Sequence, residues 1–339
     1  MCGPKAADKP MGQREEAMQS KSSRRAFLAG AGALAAEPWP ASAQAAFPNR
    51  PIRIVHGYSA ASNPDTIARV IAPSMIETLG QSVIVEPKPG AGERIAAQYL
   101  MAQPADGYTL YLITGGANVI SATDPQTPFN TLKDFSYVST ITLFPFALFV
   151  AANSPLQSFK DLRAAVLARP GKLNYGHSGV GNTLHLAVEY LKALTDMKME
   201  AIAYKDTGQQ VNDVITGRLD MAIGTFTGYH GALANRQVRA ICVTSKDPWP
   251  LNPDVPPIAL DVPGYEVVSW LGLAAPAGLP GDIADKLSDA VKIAVARTDV
   301  KERLQGMGND ARASTPAQFR ARIEADYAKW QPLAKFVNP

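Results

Sequence analysis

The stretch IRIVHGYSAASNPDTIA, residues 52–68, decides how this chain folds. Its β-branched start predicts a strand over Ile52–Val55, and Gly57 ends that strand. Small residues follow at 59–62, and Asn63-Pro64-Asp65 then predicts a helix, with the asparagine as N-cap and the proline at the first helical position. Such a loop lets the backbone approach a ligand, while the helix dipole and free N–H groups point at it. The stretch therefore indicates a site for an anion.

The same arrangement recurs further along the chain. The predicted strand Tyr108–Ile113 leads into Thr114-Gly115-Gly116-Ala117-Asn118, which is predicted to be a second small-residue loop. A third loop, at 176–181, precedes Asn182, a favoured N-cap for the amphipathic helix Thr183–Leu194. These repeats strengthen the interpretation of the chain as a receptor for a small anion.

A further helix start follows the strand predicted over Ala201–Tyr204, where Thr207 and Gln210 have the spacing of a capping box. Throughout the chain, strand-like runs alternate with helical patterns, which predicts an α/β fold built on mainly parallel sheets. Ligands of such folds bind beyond the carboxyl ends of the strands. The predicted loops lie at that edge, as does Thr225, which follows the predicted strand Leu219–Gly224.

With 339 residues, the chain is long enough for two domains. We predict a first domain of residues 46–153 plus 268–339 and a second domain of residues 154–267. Phe144–Ala151 is predicted to be one strand that passes towards the second domain. Two lobes joined by two crossing segments are typical of binding proteins that close about a hinge.

Residues 1–45 are predicted to be an export signal. The run Ala26–Ala36 is apolar, and Ala43-Gln44-Ala45 fits a small-residue cleavage site. The segment SRRAFL, residues 23–28, resembles a twin-arginine signal, and an ordinary secretory signal that contains two arginines is the alternative. The mature chain is expected to begin near Ala46 and to reside in the periplasm.

The composition is that of an ordinary globular protein. Hydrophobic residues make up 46% of the chain, and no apolar run reaches the roughly 18 residues that span a bilayer. Residues 1–45 hold six of the 33 basic and four of the 30 acidic residues, which leaves 27 against 26. Because the mature chain is then close to neutral, charge gives no support to a nucleic-acid partner or a membrane-surface role.

Only two cysteines occur, Cys2 and Cys242, and the first would leave with the export signal. Cys242 lies in an apolar run at 240–243, which predicts a buried structural thiol rather than a nucleophile. No Cys or His spacing suggests a metal site, and neither a dinucleotide fingerprint nor a Walker loop occurs. We therefore expect no metal and no cofactor.

Eight short motifs, spread over nearly the whole mature chain, carry a family resemblance. In chain order they are PNRPIRIV (48–55), LGQ (79–81), PGAG (89–92), PADGYTL (104–110), PGKLNY (170–175), YK (204–205), GRLD (217–220) and SWLGLAAP (269–276). In this order and spacing they resemble the Bug-type extracytoplasmic receptors of tripartite tricarboxylate transporters. The resemblance implies a two-lobed, type II-like periplasmic binding protein with two α/β domains joined by two hinge segments. It also implies capture of a small carboxylate for membrane transporter subunits. We expect the receptor to be a monomer and not an enzyme.

In that family the ligand carboxylate meets donors from the first strand–helix loop and from the matching loop of the second domain. By position, the resemblance carries these roles to Ser59–Asp65 and Ser178–Thr183. With neighbouring residues at strand ends, the candidate ligand-binding residues are Tyr58, Ser59, Ala60, Ala61, Ser62, Asn63, Asp65, Thr114, Gly115, His177, Ser178, Gly179, Gly181, Asn182, Thr183, Tyr204 and Thr225.

Two departures from the family pattern bear on the ligand. The family has a proline and paired glycines before the aspartate, where this chain has Ser59-Ala60-Ala61-Ser62-Asn63-Pro64-Asp65. The loss of both glycines restricts the backbone, because Ala and Ser disfavour positive φ. Asp206 stands where the family commonly has glycine, and its charge could repel a second carboxylate or pair with an amine.

Several candidates also fit a purely structural role. Asp65 fits a first-turn acid that favours the helix dipole. Turn, cap or core positions are alternatives to ligand contact for Ser178, Asn182, Thr183, His177, His185, Tyr58, Tyr204 and Trp270.

Two other functions stay open at this point. Gly176-His177-Ser178-Gly179-Val180 is close to the nucleophile elbow G-x-S-x-G of an exported serine hydrolase. However, Val180 stands where the last glycine is needed, and His230 is the only distant histidine that could act as the base. A periplasmic sensor that reports ligand to a signalling protein would use the same site as a transport receptor.

Overall fold

Two mixed β-sheets with their helices form the framework of the protein. The computed structural model describes residues 46–60, 62–90, 93–204 and 206–337. The predicted export signal, residues 1–45, lies outside the described residues, and so does Ala61.

We call the first sheet and its helices the first lobe. Its strands are β1 Ile52–His56, β2 Val83–Pro87, β3 Thr109–Thr114, β4 Phe135–Pro145, β10 Val268–Pro276 and β11 Asp310–Ala311. They lie in the order β11-β4-β10-β3-β1-β2. Its helices are α1 Asn63–Leu79, α2 Arg94–Met101, α3 Gly115–Thr123, α8 Gly281–Ala296, α9 Thr298–Gly306 and α10 Pro316–Trp330, followed by a 3₁₀ helix, Gln331–Phe336.

The second lobe is built on the second sheet. Its strands are β5 Ala147–Ala151, β6 Asn174–His177, β7 Glu200–Ala203, β8 Met221–Gly224 and β9 Val238–Val243. They lie in the order β7-β6-β8-β5-β9. Its helices are α4 Phe159–Ala168, α5 Thr183–Thr195, α6 Thr207–Ile215 and α7 Phe226–Ala234, and a 3₁₀ turn, Ile258–Leu260, precedes the return to the first lobe.

The prediction of mainly parallel sheets is wrong. Parallel pairing joins β1 to β2 and β3, and β6 to β7 and β8. In contrast, β10 runs antiparallel to both β3 and β4, and β5 runs antiparallel to both β8 and β9. The chain enters the second sheet through β5 and returns to the first sheet through β10. Neighbouring parallel strands are normally joined by a crossover helix within one sheet. The chain reaches β5 and β10 from the other lobe instead, so these two strands can run antiparallel to their neighbours.

The chain crosses between the lobes at two adjacent places. The segment Phe144–Ala151, predicted as one strand, is divided at Phe146 between β4 and β5. The return crossing leads through Val267 into β10. Thr244 bonds to both: its amide donates to the Phe146 carbonyl at 2.9 Å, and its carbonyl accepts from the Val267 amide at 2.8 Å. Its hydroxyl adds a bond to the Val267 carbonyl at 2.6 Å and accepts from the Phe146 amide at 2.8 Å.

Domain boundaries near Ser154 and Val267 stay a prediction. Strand β5 lies before Ser154 in the chain and pairs with β8 and β9 of the second sheet, so sheet membership changes at Phe146. The second crossing, which enters β10 at Val268, lies next to the predicted return near Val267.

The opening unit packs as its pattern indicates. Ile52 and Ile54 are buried while Arg53 between them is exposed, as expected when side chains alternate along a strand. Helix α1 buries the face that contains Ile67, Ile71 and Met75, and it packs against α8. This packing fixes the start of α1 beyond the carboxyl end of β1.

Side-chain caps define the helix starts, with two one-residue corrections. Helix α1 is capped by Ser62, whose hydroxyl accepts from the Asp65 amide, so the prediction of Asn63 as N-cap is wrong. Helix α6 is capped by Asp206 and not by Thr207. In both cases the preceding residue has an extended backbone and a side-chain acceptor that reaches the third amide of the helix. The predicted Asn182 cap of α5 is confirmed.

The predicted loop at 114–118 is also wrong, because α3 begins directly at Gly115. Thr114 ends β3 and caps α3 at once, and its hydroxyl accepts from the Gly116 amide at 3.1 Å. Two glycines suggested a loop, but Ala117, Val119 and Ala122 are buried and support a helix.

Within the described ranges, no helix is both long and apolar enough to cross a membrane. Cys242 is fully buried in β9, as predicted, and burial raises the pKa of its thiol.

Candidate functional site

At the carboxyl ends of the parallel-paired strands in the described part of the chain, five of six helix starts have a side-chain cap. In the first lobe these are α1 after β1 and α3 after β3; in the second lobe they are α5 after β6, α6 after β7 and α7 after β8. Each has a side-chain cap, provided by Ser62, Thr114, Asn182, Asp206 and Thr225. Capped starts of this kind direct N–H groups and the positive end of the helix dipole towards a ligand.

In the first lobe, a hydrogen-bonded cluster is centred on Glu93. The Tyr58 hydroxyl donates to Glu93 Oε1 at 2.8 Å, and the Thr114 hydroxyl donates to the same oxygen at 2.5 Å. The Tyr111 hydroxyl donates to Oε2 at 2.7 Å. The cluster brings together two candidates, Tyr58 and Thr114, whose hydroxyl oxygens are 3.3 Å apart.

Glu93 was missed by sequence reasoning. It is 3% exposed and holds a left-handed backbone with φ 71°, an uncommon conformation for a residue with a side chain. Burial raises the pKa of its carboxyl, while the three hydroxyl donors act in the opposite direction. Gly57 is the one sequence signal of this packing, because a Cβ there would lie 2.6 Å from the Glu93 Cα.

Asp65 is held by two side chains of its own lobe. His56 Nε2 lies 3.0 Å from Asp65 Oδ1, and Arg69 contacts both carboxylate oxygens at 2.9 and 3.0 Å. Burial lowers the pKa of His56, and Asp65 raises it. These contacts favour the structural reading of Asp65, in which it fixes the first turn of α1 to the end of β1.

The rest of the first loop is open to solvent or forms the cap. Ser59 and Ala60 are exposed, and the Ser59 carbonyl accepts from the Ser62 amide at 3.3 Å. Gly115 is buried at the start of α3, where a Cβ would lie 2.9 Å from the Ser269 hydroxyl oxygen. Ala61, a further candidate, lies outside the described residues.

In the second lobe, the loop at 178–182 is tied by its own side chains. Asn182 Nδ2 donates to the Ser178 hydroxyl oxygen at 2.7 Å, while Asn182 Oδ1 accepts from the His185 amide at 2.9 Å. Gly179 and Gly181 have positive φ values of 124° and 78°, so glycine is needed at both turns. Thr183 follows as a buried first residue of α5.

Two buried histidines support this loop from below. His177 Nδ1 lies 3.0 Å from the Gly179 carbonyl oxygen and 3.2 Å from the Gly179 amide nitrogen, and His185 Nδ1 accepts from the Gly181 amide at 3.2 Å. Their rings lie 4.6 Å apart. Burial lowers the pKa of both side chains, and burial together with the charge of His185 lowers the pKa of His177 to about 4. Nε2 of His177 is buried without a hydrogen-bond partner in the described part of the chain.

The remaining candidates lie at α6 and α7. The Tyr204 hydroxyl donates to Asp213 at 2.7 Å, which turns it towards α6. Asp206 accepts from the Gln209 amide at 2.8 Å as the cap of α6. Thr225 caps α7 by accepting from the Gly228 amide at 3.1 Å. The starts of α6 and α7 are neighbours, since a Cβ on Gly228 would lie 3.2 Å from the Thr207 methyl group.

Residues from both lobes line one narrow crevice, which we call the interlobe crevice and which has no room for a water molecule. Asn63 and Asn309 of the first lobe face Thr225, Phe226 and Thr227 of the second. An adjoining cavity of about 150 Å³ is lined by residues that include Thr227, His230, Asn252 and Gln305. The structure thus brings the predicted residues Asn63 and Thr225 together, although they are far apart in sequence.

Two α/β lobes joined by two crossings define a two-lobed solute-binding fold. Comparison with known families gives a match of residues 67–338 to the tripartite tricarboxylate transporter family receptor. The chain belongs to this receptor family, which confirms the resemblance seen in its motifs.

Two sequence relatives illustrate the relationship. The UPF0065 protein in the tcbD-tcbE intergenic region of Pseudomonas sp. (strain P51) is 33% identical over 313 residues, which cover 91% of this chain and 93% of the relative. Protein BugT of Bordetella pertussis is 29% identical and covers 91% of this chain and 94% of its own length.

Solved structures with bound carboxylates share the fold. Rpa4515 of R. palustris, solved with adipate, has a TM-score of 0.74 and 31% identity, and the match covers 86% of this chain and 98% of that one. MatC (Rpa3494) from Rhodopseudomonas palustris, solved with bound malate, has a TM-score of 0.72 and 27% identity, with coverage of 85% and 100%.

Proposed function

We propose that this protein is a periplasmic solute-binding receptor that captures a small carboxylate for a tripartite tricarboxylate-type membrane transporter. The observation that carries the proposal is the set of five capped helix starts, contributed by both lobes, that follow strand ends. Backbone N–H groups and helix dipoles bind a carboxylate without a buried basic side chain. The adipate and malate complexes of similar proteins support this ligand class, and the family supports the transporter as partner.

Capture is proposed to proceed by closure of the lobes about the two crossings. A ligand drives closure only if it binds the closed state more tightly than the open one. The interlobe crevice supports this mechanism, because Asn63 of one lobe and Thr225 of the other meet there. Export by a twin-arginine signal cleaved near Ala45, and action as a monomer, complete the proposal.

The proposal includes no catalytic step. A serine hydrolase needs a base within hydrogen-bond reach of its nucleophile. The Ser178 hydroxyl instead bonds to the Asn182 side chain, and no histidine within the described ranges bonds to it. His230, the candidate base, lies in α7 and lines the cavity next to α9.

A thermal-shift screen tests the proposal. Residues 46–339 form one compact unit by themselves and can be screened against dicarboxylates, amino acids and neutral sugars. An acid at 100 times its dissociation constant should stabilise the protein by about 2.7 kcal/mol, which a melting curve detects. A shift with acids and none with sugars is the expected result. Turnover of an ester substrate with no acid-induced shift would overturn the proposal.

A further inference from the structure

The segment that follows α10 reaches from the first lobe to the second. It consists of the 3₁₀ helix Gln331–Phe336 and Val337, and we call residues 331–337 the strap. The 3₁₀ helix packs against α3 and α10 of the first lobe and also against α5 of the second. Leu333 is 6% exposed and belongs to the same hydrophobic core as Leu186 of α5. The strap is therefore a contact between the lobes that is separate from the two crossings.

The strap begins at a helix that is held firmly in the first lobe. Asn118 Nδ2 of α3 donates to the Ile323 carbonyl of α10 at 3.1 Å, and Trp270 Nε1 of β10 donates to Asp326 of α10 at 2.8 Å. Trp330, the last residue of α10, is 4% exposed. Because α10 is bonded to both α3 and β10, the position of the strap follows the first lobe.

The strap ends on the candidate ligand loop of the second lobe, at Gly181. Val337 is half-buried, and a Cβ on Gly181 would lie 2.9 Å from Val337 Cγ1 and 3.6 Å from Cγ2. Gly181 is buried with φ 78°, and its amide donates to His185 Nδ1 at 3.2 Å. One residue of the loop is thus held by a side chain of its own lobe and by a side chain of the other lobe.

The remainder of the loop has less support. Ser178 is exposed, and Val180 is 66% exposed. A segment with few buried contacts opens easily, so the conformation of this loop depends on its buried residue, Gly181. Asn182, the next residue, caps α5, and the conformation at Gly181 therefore sets how the first amides of α5 are presented. A binding loop that is ordered before the ligand arrives binds more tightly, because less entropy is lost on binding.

We infer that Val337 is a positioning residue for carboxylate binding. The strap carries it from the first lobe onto Gly181, where it keeps the loop at 178–182 in the conformation that presents the amides of α5. The inference rests on the proposed function, which places a carboxylate at these amides.

Val337→Ala tests the inference, because it removes the two methyl groups that cover Gly181. Isothermal titration calorimetry on residues 46–339 with succinate, malate and adipate should show binding weakened about three- to tenfold, since fewer molecules hold the competent loop. Hydrogen exchange of residues 178–185, measured by mass spectrometry without ligand, should be faster by about the same factor. A purely structural role would not change the affinity.

Val85→Ala is the matched control. Val85 is also half-buried against the hydrophobic core, but it lies in β2 at the edge of the first sheet. This variant removes the same atoms, so it should lower the melting temperature while leaving the affinity and the exchange of 178–185 unchanged.

Val337→Thr keeps both branches of the side chain and should retain most of the affinity. A loss equal to that of Val337→Ala would contradict packing on Gly181 as the cause.

The outcomes separate this inference from the proposed function. If Val337→Ala binds the acids as tightly as the unchanged protein, if its loop exchanges at the same rate, or if Val85→Ala weakens binding equally, the role of the strap is wrong and the carboxylate receptor stands. If none of the three acids binds the unchanged protein and no other acid shifts its melting curve, both are wrong.

Discussion

At the scale of single residues, the histidine pair below the 178–182 loop couples the loop to protonation. The Nδ1 atom of His185 accepts a hydrogen bond from the Gly181 amide, which an imidazolium nitrogen cannot do, and the two buried rings lie so close that a charge on one disfavours a charge on the other. Near these rings are the Glu189 carboxylate, 3.9 Å from His185 Nε2, and the Lys192 ammonium beyond it. Protonation therefore opposes the loop conformation seen here.

This coupling predicts a pH-dependent stability. The unfolded His177 binds a proton near pH 6.5, whereas the folded one does so only near its pKa of about 4, so the unfolded state binds more protons between these values. The free energy of unfolding should fall by about 2 kcal/mol for this residue as the pH is lowered from 7.5 to 5. Urea unfolding at the two pH values measures the change.

His177→Gln should reduce the difference in unfolding free energy between pH 7.5 and pH 5. His230 is exposed, and His230→Gln should leave that difference unchanged. An equal pH response in all three proteins would contradict the assignment.

Residue roles were predicted where they depend on local sequence. Ser178 and Asn182 were assigned to a tight loop and cap, and they bond to each other. Glu93 could not be found, because its role depends on Tyr58, Tyr111 and Thr114, which are up to 35 positions away. His56 was missed for the same reason, since a buried imidazole in a strand has no sequence signature.

At the scale of secondary-structure elements, helix starts contribute both stability and binding. Asn182 caps α5 next to the candidate site, and Thr315 caps α10 with a complete capping box that includes Gln318. Replacement of either cap by alanine should cost about 1 kcal/mol of unfolding free energy. Only Asn182→Ala should also weaken carboxylate binding, because of these two helices α5 alone begins at the candidate site. Chemical denaturation and calorimetry on both variants check this. Equal losses of affinity would remove α5 from the site.

Secondary-structure elements with a regular apolar pattern or a capping residue were predicted from the sequence, whereas elements without these signals were missed. Helix α5 was found from its cap and apolar face. Strand β4, FSYVSTITLFP, was missed because its serines and threonines hide a buried strand whose hydroxyls bond within the lobe. Helix α3 was taken for a loop because its first two residues are glycines. Strand direction depends on how the chain crosses between lobes, which local patterns do not contain.

At the scale of the whole molecule, contacts between the lobes should contribute to ligand affinity. The Thr227 hydroxyl of α7 donates to the Met307 carbonyl that follows α9, and Gly308 lies against Phe226. If these contacts belong to the closed state, their loss favours the open state and reduces the population able to bind.

Thr227→Ala should therefore weaken ligand binding about three- to tenfold, the effect of one hydrogen bond. Thr216→Ala is the control, because the Thr216 hydroxyl bonds to the Asn212 carbonyl within its own lobe. Calorimetry measures affinity, and small-angle scattering measures the radius of gyration with and without ligand. Unchanged affinity in Thr227→Ala would show that this contact is not specific to the closed state.

Thr244 gives the two crossings a mechanical property. Because it bonds to Phe146 on one crossing and to Val267 on the other, we expect a bend in one segment to be transmitted to the other. If the lobes close as proposed, two segments held side by side should allow rotation mainly about a single axis. We therefore expect distances between different pairs of labels on opposite lobes to change together along one coordinate.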